Sequence, residues 1–141
     1  MAKIKRRDNY GEIERMNGIC EVLEKRNDIG AHYDFYLNLY PHIRRNIGMI
    51  AEIDEYVLWI ELMNGRKLIF DTCNNTFREP TFGETLNGIS KFKHITQKAL
   101  ANRIGVYPSE IAKYMSGEKT PSIYTLQELA RALSCSIDDF Y

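Results

Sequence analysis

Apolar positions recur along this chain in two rhythms, one stepping by three and four, the other nearly continuous over strand-length runs. In YGEIERMNGICEVLEKR, Ile13, Met16, Cys20 and Leu23 step by three, four and three, the stripe of an amphipathic helix. After the linker NDIGAH, Phe35, Leu39 and Ile43 align by four in a second helical or mixed segment, which Pro41 kinks or starts. The rhythm then changes. YVLWIELM and RKLIFDTC flank Asn64-Gly65, the dipeptide favoured by a two-residue type I′ hairpin turn, whose central residues both need positive φ. Such a turn pairs Leu62 with Lys67, Ile60 with Ile69 and Leu58 with Asp71 on one face. On the other face it pairs Glu61 with Leu68, Trp59 with Phe70 and Val57 with Thr72. Both faces are apolar enough to predict burial on both sides, one by local helices and one by a partner subunit or the C-terminal part. NIGMIAEIDE is a candidate third strand, with Asp54-Glu55 in the turn.

A boundary falls in TCNNTFREPTFGET, where the turn formers Asn74, Asn75, Pro80 and Gly83 cluster. Beyond it the helical rhythm returns in short pieces. Phe82, Leu86 and Ile89 predict a helix over ETLNGISKFK. Thr96 caps TQKALANRI, which turns Leu100, Ala101 and Ile104 inward and ends at Gly105, where positive φ is cheap. Pro108 opens PSEIAKYMSG at the helical position where a missing N–H costs nothing. Ile111, Tyr114 and Met115 face inward there, and Ser109, Ala112 and Lys113 face outward. Gly117 closes that helix, Ser122 caps IYTLQELARAL, and Ser136 caps a last short helix in SIDDFY. The expected fold is an α+β N-terminal module over residues 1–79, two helices plus an antiparallel hairpin or three-stranded sheet. An all-α five-helix domain follows over residues 80–141.

Composition narrows the class. A chain that is 44% hydrophobic and 11% aromatic folds into a core. Three scattered cysteines without a CxxC argue against a disulfide scaffold or a zinc site and for a reducing compartment. The basic N-terminus leads into no apolar segment of signal-peptide type, and no apolar run is long enough to span a membrane, so a cytoplasmic protein is expected. Nineteen Lys/Arg balance nineteen Asp/Glu, which excludes a histone-like polycation. The balance is a cancellation, however. Residues 91–119 hold six cations (Lys91, Lys93, Lys98, Arg103, Lys113 and Lys119) against Glu110 and Glu118 alone, a local excess of four.

Catalytic chemistry finds no footing in the sequence. There is no GxGxxG, P-loop, GxSxG or HExxH motif, and His32, His42 and His94 share no metal-ligand spacing. The acids Glu52, Asp54, Glu55, Glu61 and Asp71 near the strands lack the lysine a nuclease centre would need beside them. No enzyme, metal or cofactor is expected.

The C-terminal register carries the functional signal. Thr96-Gln97, Leu100-Ala101, Gly105-Val106, Ile111, Gly117, Pro121-Ser122 and the Leu126/Leu129-Ala130/Leu133 stripe follow in order over residues 83–140. This set resembles the Cro/phage-repressor (XRE-type) helix-turn-helix family. The resemblance implies sequence-specific binding of double-stranded DNA, usually by a two-fold dimer acting as a repressor or autoregulator on a pseudo-palindromic operator. It also implies that the helix opening at Pro108 enters the major groove. Tyr107, Pro108, Ser109, Ala112 and Lys113 then face the bases, and Gln97, Lys98, Lys91, Lys93 and Lys119 face phosphates. Two positions depart from the pattern: Tyr107 replaces the usual Ser or Thr cap, and Glu118 stands where a phosphate-binding lysine is common.

Residues 1–79 match no family recognised from the sequence. Their expected task is dimerisation, or binding of an effector or partner protein, with Val57, Trp59, Leu68 and Phe70 as interface candidates. A reading of a different class stands beside the regulator. In it the chain is an antitoxin-like or inhibitor protein whose N-terminal module binds a protein partner, while the helix-turn-helix autoregulates the operon.

Overall fold

The computed structural model describes residues 47–71, 73 and 76–141. The two helices expected before residue 47 lie outside the described residues. The chain divides into two compact units, Met1–Glu79 and Pro80–Tyr141.

In the first unit, β1 (Ile47–Asp54), β2 (Val57–Leu62), β3 (Lys67–Asp71) and β4 (Thr76–Arg78) form an antiparallel meander in chain order. NIGMIAEID is thus a strand, and TFR, read from sequence as part of the boundary, is a further one. Its central residue explains why so short a segment pairs. Phe77 lies opposite Phe70, buried, with the ring centroids 4.7 Å apart.

The hairpin register differs from the sequence expectation by one residue. Trp59 pairs with Ile69, Ile60 with Leu68 and Glu61 with Lys67. The connection has three residues: Gly65 N–H donates to the Leu62 carbonyl at 2.9 Å, and Leu62 N–H to the Arg66 carbonyl at 2.7 Å. Only Gly65 takes positive φ, at 88°, while Asn64 accepts from the Arg66 amide through its side chain at 3.0 Å. This is a type I turn followed by a left-handed glycine, the usual three-residue hairpin, in place of a type I′ turn. The slip exchanges which residues share a face. Leu58, Ile60 and Leu62 stand with Leu68 and Phe70, whereas Val57, Trp59 and Glu61 stand with Lys67 and Ile69.

The four interface candidates do not share one face of the sheet, as the expected register would have had them. Val57 and Trp59 are on one face and Leu68 and Phe70 on the other. Trp59, Leu68 and Phe70 are fully buried. Both faces of the sheet do carry buried side chains, as their apolar content predicted. Where Glu61 meets Lys67, an ion pair at 3.5 Å accompanies the nearly buried lysine.

In the second unit, α1 (Phe82–Phe92), α2 (Gln97–Ile104), α3 (Pro108–Ser116) and α4 (Ile123–Ala132) are followed by a 3-10 turn, Ile137–Phe140. The expected fifth α-helix is therefore replaced by a turn. Its bonds run from Asp139 N–H to the Ser136 carbonyl and from Tyr141 N–H to the Asp138 carbonyl, a three-residue spacing too short for an α-helical ladder. α1 begins at Phe82, the first residue of its apolar stripe and two residues before the expected span ETLNGISKFK. Thr81 and Glu84 form a reciprocal capping box, with the Thr81 amide 2.9 Å from Glu84 Oε1 and the Glu84 amide 3.2 Å from Thr81 Oγ1. Leu86, Ile89, Leu100, Ala101, Ile111, Leu129, Leu133 and Phe140 make the core of the unit. No helix among the described residues is long and apolar enough to cross a membrane.

Candidate nucleic-acid interface

The pair α2–α3 is shaped by short-range chemistry. The Ala99 amide donates to Thr96 Oγ1 at 3.0 Å, which caps α2. Gly105 ends that helix at φ 76°, and both Gly105 and Val106 donate to the Ala101 carbonyl, folding the chain sharply into α3. At the start of α3, Tyr107 contributes no side-chain cap, and Pro108 at the first position supplies the pre-set φ instead. α3 closes at Gly117, φ 83°.

Burial sorts the faces of α3. Ile111 and Tyr114 are buried and Met115 is half-buried, whereas Pro108, Ser109, Ala112 and Lys113 are exposed. Tyr107 is the most exposed large hydrophobic side chain described, at 80%. The five residues expected at base edges therefore share one solvent-facing strip along the first two turns of α3. Lys113 can donate to a guanine edge, Ser109 to a base or phosphate, and Tyr107, Pro108 and Ala112 offer apolar surface to a thymine methyl.

The expected phosphate contacts are less uniform. Lys91 and Gln97 line one cavity of about 470 Å³, together with His94, Thr96 and Met115, in front of the positive end of α2. Gln97 reaches Met115 Sδ at 3.4 Å, and Lys98 is exposed beside it. Lys93 does not belong to this group. Its ammonium donates to the Leu133 carbonyl at 2.5 Å and the Ser134 carbonyl at 3.3 Å, at the C-terminal end of α4. Those carbonyls lack helical partners, so a cation there is satisfied structurally. Arg103 does the same for the Ala132 carbonyl at 2.8 Å.

Lys119 is also engaged. Its ammonium lies 2.8 Å from Glu110 Oε2, and Tyr114 Oη donates to the same oxygen at 3.3 Å. The hydrogen bond from Lys119 holds the Glu110 carboxyl below its ordinary range, against the smaller upward effect of burial, and Glu110 in turn raises Lys119. Glu110 was not singled out in the sequence. Its signal was an acid in the first turn of α3 and a lysine two residues beyond the closing glycine.

No cluster of His, Cys, Asp and Glu suited to a metal ion occurs among the described residues.

A helix-turn-helix family model matches residues 93–140. Three solved structures are similar to part of the chain. The restriction-modification controller protein C.AhdI from Aeromonas hydrophila is 25% identical over 43% of this chain and 91% of its own, with a TM-score of 0.42. The P22 c2 repressor, solved in complex with a synthetic operator, is 31% identical over 43% of this chain and 92% of its own, TM-score 0.42. The clp gene regulator ClgR from C. glutamicum is 27% identical over 44% of this chain and 86% of its own, TM-score 0.41. No curated protein matches the chain. Residues 93–140 are a helix-turn-helix segment of Cro/phage-repressor (XRE) type. That segment supports a DNA-binding regulator of transcription.

Proposed function

We propose that the protein is a repressor or autoregulator that binds a pseudo-palindromic operator as a homodimer, with α3 in the major groove. Tyr107, Pro108, Ser109, Ala112 and Lys113 face the bases; Gln97, Lys98 and Lys91 hold the backbone on the side of the α2 N-terminus. The observation that carries this reading is the exposed strip of α3. Ile111 and Tyr114 are buried while Ser109, Ala112 and Lys113 stand free of the core on a helix fixed at both ends. An exposed, rigidly held face of small and basic side chains is what a groove admits. The unit up to Glu79 supplies dimer or partner contacts through surfaces other than the buried Trp59, Leu68 and Phe70.

Fluorescence titration of the full chain against its own upstream region tests the assignment, with Ser109→Ala and Lys113→Ala variants. Lys113→Ala is expected to weaken binding by roughly 5- to 150-fold, the loss of about 1–3 kcal/mol carried by a good base contact. Undiminished affinity in both variants would remove α3 from the groove.

A further inference from the structure

The pair Glu110–Lys119 has no role in holding the domain core, since both side chains lie at the surface of α3 and the loop that follows it. Yet the loop is built to bring them together. Gly117 turns the chain back at φ 83°, the Lys119 amide donates to the Lys113 carbonyl at 3.2 Å, and the Glu118 amide donates to Ser116 Oγ at 3.3 Å. Ser116 Oγ itself donates to the Lys113 carbonyl at 3.1 Å. The Lys119 stem thus runs back along α3 until its ammonium reaches the first turn, next to Ser109 in the chain. Glu110 is held there by Tyr114 Oη as well.

The consequence concerns the DNA backbone. A free lysine on the rim of a groove-binding helix neutralises a phosphate and releases a counterion on any DNA sequence. A lysine already paired with a carboxylate releases none. If it left for a phosphate, Glu110 would be stranded without its counter-charge beside a polyanion.

We propose that Glu110 is a specificity-determining residue that withholds Lys119 from the DNA backbone, lowering affinity for non-cognate sequence while leaving the base-facing strip of α3 unchanged. The inference rests on the DNA-binding reading above and adds one charge to its arithmetic. Each withheld phosphate contact removes about 0.9 from the slope of log affinity against log salt on duplex DNA. The term is independent of sequence, so it subtracts from every non-cognate site alike.

The test is binding of the full chain to a random-sequence duplex over about 50–200 mM salt, for wild type, Glu110→Gln, Lys119→Gln and the double variant. Glu110→Gln keeps the shape and removes the charge. It is expected to steepen the salt slope by about 0.9 and to tighten binding at the low-salt end roughly three-fold relative to the high-salt end. The double variant is expected to return to the wild-type slope, and Lys119→Gln alone to leave that slope unreduced. An unchanged slope in Glu110→Gln overturns the proposal. A shallower slope in Lys119→Gln also overturns it, because Lys119 would then already sit on a phosphate. Wild type that shows no salt-dependent binding at all overturns the DNA-binding reading itself, an outcome distinct from the other two.

Discussion

A Cβ at Gly83 would lie 2.2 Å from the Met115 carbonyl oxygen and 2.6 Å from that of Tyr114. Gly83 is buried in the first turn of α1, and the two carbonyls belong to the last turns of α3. Backbone therefore rests on backbone where α1 supports α3. Neither neighbour is the end of a flexible side chain, so no rotamer change can make room.

Gly83→Ala should displace α3. Overpacking of this kind costs about 1–3 kcal/mol, more than the roughly 1 kcal/mol by which alanine exceeds glycine in helix propensity. Net destabilisation is expected in urea denaturation. DNA affinity measured well below the melting temperature should fall too, because the shift moves the strip carrying Ser109 and Lys113. A variant as stable and as tightly binding as wild type would mean that α1 and α3 separate freely.

Lys93 gives the opposite pattern. Its ammonium serves the Leu133 and Ser134 carbonyls, and Arg103 serves Ala132, so two cations close the end of α4. Lys93→Ala should cost about 0.5–1.5 kcal/mol of stability, the range for a hydrogen bond of this kind, while the salt slope of DNA binding stays at its wild-type value. Lys98→Ala should do the reverse and flatten that slope by about 0.9. Equal slopes for wild type and Lys98→Ala would take Lys98 out of the phosphate set.

The contrast between these lysines shows what was legible in the sequence. Thr96, Gly105, Pro108, Gly117 and Ser122 act on the backbone within three or four residues of themselves, so their identities announced α2, α3 and α4 before any coordinates. The inward and outward faces of α3 followed from the same local periodicity. Lys93 looked like Lys98 because nothing near it in the chain records a carbonyl forty residues away. The Glu110–Lys119 pair was hidden by the left-handed turn at Gly117, which reverses the loop. β4 was obscured because three residues amid turn formers show no period, and only the long-range match of Phe77 to Phe70 makes them a strand.

The hairpin offers a sharper local test. Asn64-Gly65 suits both a two-residue and a three-residue connection, and the two differ in which residues need positive φ. Gly65 alone takes it here, with open space where a Cβ would be. Gly65→Ala should therefore destabilise by about 1–2 kcal/mol through backbone strain alone. Asn64→Ala should cost less, since it loses one exposed hydrogen bond to the Arg66 amide and no φ preference. Chemical denaturation of the two variants separates the cases; equal losses would point back to the type I′ turn and its register.

The surface charge pair can also be followed by pH. Glu110 titrates below the ordinary glutamate range, chiefly because Lys119 hydrogen-bonds to it, with Tyr114 and the nearby charge of Lys113 acting in the same direction. A carboxyl whose native value lies below its unfolded value contributes stability that is fully present above the unfolded value. That contribution disappears as pH falls through the depressed native one. Carboxyl-carbon NMR should show a Glu110 midpoint below that of a free glutamate in wild type. In Lys119→Ala the midpoint should rise toward the ordinary value, because the largest downward effect has been removed. Lys113→Ala should move it in the same direction and by less. A Glu110 midpoint that ignores Lys119→Ala would mean that the ammonium is free in solution, and Lys119 would then be available to the DNA backbone after all.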